Sequence, residues 1–274
     1  MPTNLSTGEN NMVDLSLRIV DKNGQILSET TGQDWVTLVY PKTYEEGDSI
    51  VLSTSEKNLH IIGQVDDALG AAMCYLTDDV SYSIPFGEKK KVYSPKTFSG
   101  DKHYLYARVA TSEEVDQYRN LAINVADQHD VKGCYPHASA NVETRGESVF
   151  AARNAIDGVY ANHYHGRWPY ESWGINRDPN AEMKLAFGRK VLVDKIVIVL
   201  RADFPHDSYW TQGTIHFSDG SEEVLSFVKT DRPQVFFVES RVIEWLTFGK
   251  LIKADDESPF PALTQMEVWG KEAE

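Results

Sequence analysis

VDKIVIVLRADFPHDSYWTQGTIHFSDGS, residues 193–221, decides the reading of the fold. Ile196 to Leu200 is an apolar run of strand length. Asp219-Gly220 joins two alternating runs, 213–218 and 222–227, and is a strong two-residue hairpin signal. Between the strands lies RADFPHDSYW (201–210), where an arginine, two aspartates, a histidine and three large aromatics share one connection. A second mixed segment, HYHGRWPYESWG (163–174), stands upstream beside NAIDG (154–158). Connections held by a stiff β frame are where binding residues concentrate.

The β pattern extends in both directions. Downstream, 234–239, 244–249 and 262–270 read as strands, and upstream 182–187 does so. Toward the N-terminus, 13–21, 35–40, 49–55, 59–65, 71–76, 80–86 and 103–110 form a second series, spaced by Gly, Pro and Asp turns. Residues 112–124 predict a helix: Ser112 caps it, Glu113 and Glu114 favour its first turn, and Val115, Tyr118, Leu121 and Ala122 form an apolar stripe. A short helix is expected over 148–158, and polar 127–132 reads as a linker. The expected architecture is all-β: two β-sandwich (jelly-roll) domains, 1–130 and 131–274, with a short helix near the linker.

Composition narrows the function. The formal net charge of −14 over 274 residues argues against nucleic-acid and anionic-membrane partners. Lys89-Lys90-Lys91 is a short solvated run. No apolar stretch is long enough for a transmembrane helix, and MPTNLSTGENN lacks the features of a signal peptide. The expected location is therefore cytoplasmic unless a leader has been removed. Cys74 and Cys134 fall in different expected domains, so no bridge between them is expected and a disulfide scaffold is excluded. The oligomeric state is left open.

Five pieces of the second block, in order, resemble the coagulation-factor type C (F5/8 type C, or discoidin) domain of the galactose-binding-like jelly rolls, as found in bacterial carbohydrate-binding modules. They are HASANVE (137–143), FAARNAIDG (150–158), AEMKLAFGRKVLVDKIVIVLR (181–201), GTIHFSDGS (213–221) and MEVWG (266–270), and the resemblance spans about 133–270. It implies a mostly non-catalytic binder of glycans, or in some members of lipids or proteins. It also implies a structural calcium around the AIDG element. Asp157 would supply a carboxylate, with backbone oxygens near Ala155 and Tyr160 and the Asn162 amide beside it. Gln265 stands where the family usually has an acid, and Glu267 lies two residues on.

The candidate ligand contacts follow from residue chemistry. Trp168, Trp173, Tyr209 and Trp210 offer flat apolar faces for a sugar ring, and Trp210 equally suits a core position. His163, His165, Arg201, Asp203, His206 and Asp207 offer directional polar groups, although Arg201 paired with Asp203 or Asp207 would only shape the loop. His163 and His165, with Glu171 or with His206 and Asp207, also form a transition-metal pattern. Three functions stay open: a non-catalytic carbohydrate-binding protein, a glycan-active hydrolase or lyase using the same His/Asp cluster, and a protein-interaction module.

Overall fold

The computed structural model describes residues 12–162, 164, 166–202 and 208–273. The chain is all-β and builds two apolar cores. In the first, a four-stranded antiparallel sheet has the order Ile26–Gln33, Asp14–Val20, Ser49–Thr54, Val80–Ser83. It faces a five-stranded sheet ordered Cys134–Tyr135, Ala72–Leu76, Leu59–Gln64, His103–Val109, Trp35–Tyr40. Alternation explains the packing: in Asp14–Val20 the side chains of Leu15, Leu17 and Ile19 point inward and their neighbours outward.

The second core sits within an antiparallel network dominated by two long strands, Met183–Leu200 and Gln234–Lys253. Each joins two runs that the sequence pattern separates. Their mutual register shifts between Ala186 and Val191 and again between Val193 and Lys195, so the strands bend around the core. The first half of Met183–Leu200 pairs with His137–Ala140, and the second half with Ala262–Glu272. Gly188 lies in the kink at φ +68°, and a Cβ there would meet the Tyr135 ring at 2.3 Å. A side chain there would be strained by the backbone and would clash with that ring.

Four expectations are corrected. The helix is only Ser112–Val115, closed by a capping box between Thr111 and Glu114. It stops because Arg119 and Asn120 pair with Gly270 and Trp269, and Leu121 N–H donates to Val268 O at 2.7 Å. The helix expected over 148–158 is instead two short 3-10 turns, Ser148–Phe150 and Ala152–Ile156. Within the expected linker, Asp127 is fully buried, accepting from His137 Nδ1 at 2.8 Å and from Ala138 N–H at 2.9 Å. The cysteines are also not in separate domains. Cys134 edges the first unit's sheet, and both thiols pack on that unit's core. The hydrogen bond with the neighbouring Cys74, and then burial, push the Cys134 thiol well above its ordinary value. Both cysteines are free.

The two units are tied at Glu272. Its carboxylate accepts from Arg119 at 2.8 Å and from Arg189 at 2.7 Å through each oxygen, while His60 Nε2 of the first unit stands 3.2 Å away. His60 and Arg189 hold the carboxyl well below its usual range despite burial. Among the described residues no helix is long and apolar enough to cross a membrane.

Candidate functional site

The connections at one end of the second sandwich enclose a cleft of about 710 Å³. Ser172, Gly174 and Arg201 lie along its base, and Gly166 belongs to its wall. Residues 144–147 and 175–177 form two sides, and 257–262 a third. Phe260 sits between Pro259 and Pro261, which restrict its backbone, and its ring is 46% exposed. The Arg177 guanidinium lies 4.4 Å from that ring's centroid. Opposite, Arg145 forms a bidentate pair with Glu147 at 2.7 and 2.9 Å and covers the Phe150 ring at 5.5 Å. That pairing holds the Glu147 carboxyl below its ordinary value.

The backbone positions these groups under strain. Arg145, Asn176 and Arg177 all have positive φ, at 55°, 51° and 62°. Thr144 Oγ1 accepts from Asn176 N–H at 2.9 Å and holds the two sides together. Gly174 makes the close approach possible, because a Cβ there would meet Thr144 Oγ1 at 2.7 Å. Non-glycine residues in this conformation cluster at functional sites.

The aromatic platform read from the sequence needs correction. Trp173 is 0% exposed, and its indole N–H donates to Val142 O at 3.0 Å, a partner 31 residues away. Trp210 is likewise sealed in the second core, 6.3 Å from Trp173 between ring centroids. Tyr209 is half-buried against the same core. Trp168 is exposed, and its backbone N–H donates to Lys91 O of the first unit at 3.1 Å, but its side chain is not part of the cleft lining. Arg201 lies at the cleft base, only 1% exposed, and donates to the carbonyls of Tyr170 and Tyr164. It shapes the loop that carries Trp168. His163, His165, Asp203, His206 and Asp207 lie outside the described residues.

Beneath the cleft base is a buried polar centre. Asp157 Oδ1 accepts from Gln265 Nε2 at 2.7 Å and from Val159 N–H at 2.8 Å, while Arg153 reaches Oδ2 at 3.4 Å. Gln265 Nε2 also donates to Asn154 O at 2.6 Å, and its Oε1 accepts from Gly158 N–H at 3.0 Å. Glu171 is 2% exposed, and neither of its oxygens finds a donor among the described residues. Burial, then the neighbouring Asp157 charge, pushes its carboxyl upward. Burial likewise raises Asp157, against the opposing pull of Arg153, Val159 and Gln265.

This arrangement bears on the expected calcium. Calcium takes six to eight oxygens around one point. Of the proposed ligands, Asn162 accepts from Thr264 Oγ1 at 2.5 Å and donates to Asp231 O at 3.2 Å. Glu267 accepts from Tyr160 Oη and Trp269 Nε1, each at 2.5 Å. Asp157 faces an amide and a guanidinium. Asp157, Asn162 and Glu267 therefore do not fit a shared calcium ion: each oxygen set is engaged by donors of the chain itself, and Gln265 brings N–H groups where the ion would need an anion.

The cleft's Arg145, Glu147, Asn176, Arg177, Glu257 and Phe260 were not singled out from the sequence. The usable signals are SPFP (258–261), an aromatic fixed between prolines just before the last strand, and the polar turns TRGE (144–147) and NR (176–177).

No protein-family model matches the chain, and no curated protein does. Several solved structures are similar at low identity. A fucose-binding module of Streptococcus pneumoniae is 12% identical, covering 56% of this chain and 99% of that one at a TM-score of 0.41. Chitosan-binding module 1 from a chitosanase/glucanase of Paenibacillus sp. IK-5 is 17% identical over 56% of this chain and 99% of its own, at 0.39. A family 32 carbohydrate-binding module from C. perfringens NanJ, solved with galactose, is 18% identical over 48% and 91%, at 0.37.

Proposed function

We propose that this chain is a non-catalytic carbohydrate-binding protein whose ligand occupies the cleft at the end of the second sandwich. The observation that carries the reading is the half-exposed Phe260 ring, held between prolines and faced by the guanidinium of Arg177. A sugar ring needs a flat apolar face and fixed donors and acceptors around its hydroxyls. Phe260 supplies the face. Arg145, Asn176 and Arg177 supply donors, and Glu147 and Glu257 supply acceptors. Trp168, exposed and two residues from the lining residue Gly166, extends the site toward a longer glycan. A single open site of this kind binds at roughly millimolar to micromolar Kd, since few atoms are desolvated.

Isothermal titration of a glycan panel against the wild type and Phe260→Ala tests this. At least one glycan should bind, and the substitution should weaken it about tenfold or more, ~1.4 kcal/mol. Unchanged affinity in Phe260→Ala would move the site elsewhere.

A further inference from the structure

The first unit contains a group of polar side chains that its sandwich does not account for. Asp66 and Asp67 follow strand Leu59–Gln64, and His103 opens strand His103–Val109. Asp66 and His103 are each 1% exposed, whereas Asp67 reaches the surface. Asp66 is already fixed: Oδ1 accepts from Ala68 N–H at 2.8 Å and Oδ2 from Phe98 N–H at 2.9 Å. His103 Nδ1 stands 3.8 Å from Asp66 Oδ2, beyond hydrogen-bond reach. That spacing is near the ~3.4 Å separating two ligand atoms that each sit ~2.1 Å from a tetrahedral ion. One donor atom each from Asp66, Asp67 and His103 lies within 4.8 Å of the others.

A separate observation points to a missing ligand. Neither ring nitrogen of His103 has a hydrogen-bond partner among the described residues, and the same holds for the hydroxyls of Tyr44 and Thr97. All three side chains are buried, with Thr97 at 0% and Tyr44 at 3% exposure. The Tyr44 ring stacks 4.0 Å from the imidazole, and the Asp66 and Asp67 charges both act on its hydroxyl. Buried polar groups are seldom left unpaired, so a concentration of them around two carboxylates requires an explanation.

We propose that Asp66, Asp67 and His103 bind a divalent transition-metal ion of the zinc class. A neutral imidazole nitrogen and two carboxylate oxygens form a donor set suited to such an ion. The free lone pair of Asp66 Oδ2, the movable exposed carboxylate of Asp67 and an imidazole nitrogen would be its ligands. The other ring nitrogen and the Tyr44 and Thr97 hydroxyls would surround them, as outer partners orient ligands at metal sites. The ion would pin the 65–69 turn and the 94–98 loop to the strand carrying His103. It lies in the first unit, so it is independent of the glycan reading.

The test is titration of ZnCl₂ into chelator-treated full-length protein, followed by calorimetry and by the imidazole NMR signals of His103. Wild type should bind one equivalent with movement of the His103 resonances. Asp67→Asn, a surface change of equal size, should bind at least tenfold more weakly. A variant with His163, His165 and His206 each changed to Ala should retain the site, which separates it from other histidines. The proposal is overturned if no zinc binds, if Asp67→Asn binds as tightly as wild type, or if the His103 resonances do not move.

Discussion

Glu171→Gln should stabilise this protein in mild alkali and flatten its response to pH. Glu171 is almost fully buried beside Asp157, and its carboxyl is pushed from 4.5 up to about 8. The folded state therefore holds a proton that the unfolded chain releases above about pH 4.5. For an acid raised in this way, the stabilisation is complete below the unfolded value and is lost as pH rises toward the folded one. Each pH unit in that window is worth ~1.4 kcal/mol, so the ~3.5 units between the two values set a ceiling of ~5 kcal/mol. Asp157 is raised as well, so the two acids titrate as a pair and the slope belongs to both. Gln has the shape of the protonated acid, and its amide can donate toward Asp157 without losing a proton. Urea unfolding of both proteins at pH 5, 6, 7, 8 and 9 measures the effect. They should have similar stability at pH 5, and at pH 8 Glu171→Gln should be the more stable by about 2–4 kcal/mol. Parallel pH profiles, or a variant less stable at pH 8, would refute the reasoning.

Other substitutions separate packing from binding. Gln265→Glu removes the two N–H donations to Asn154 and Asp157 and adds a third buried carboxyl. It should cost about 2–4 kcal/mol, partly recovered by millimolar Ca²⁺, whereas the wild-type Tm should not respond to Ca²⁺. Trp173→Phe loses the bond to Val142 O and some core volume. It should lower stability on the order of 2 kcal/mol in denaturant melts, with glycan affinity within twofold of wild type. Gly188→Ala forces a Cβ into the Tyr135 ring at a positive φ, for a loss of about 2–4 kcal/mol read by thermal unfolding.

Local pattern made the strands legible. Val36, Leu38 and Tyr40 alternate with outward neighbours, and 35–40 forms a strand at those bounds. The joining of 182–187 to 193–201 was not legible, because the intervening Gly188-Arg189-Lys190 reads as a turn and becomes a kink only against Tyr135. The helix stripe of 112–124 failed for a related reason. Leu121 and Ala122 do face a core, but it is the second unit's, reached through pairing with a strand 150 residues later. At the site, tryptophan content was a misleading guide. An indole in a Gly/Pro-rich segment reads as exposed until a distant carbonyl such as Val142 O is seen to meet its N–H. Phe260 carried the opposite error: one aromatic among prolines resembles any turn, and only the fold brings Arg177 over it.

The most direct measurement is a ¹H–¹⁵N shift map, on the full chain, of whichever glycan binds in the panel. Perturbations gathered at 144–147, 174–177 and 257–262, and abolished by Phe260→Ala, are the predicted result. A saturable ligand whose shifts leave those three segments unmoved would contradict the account.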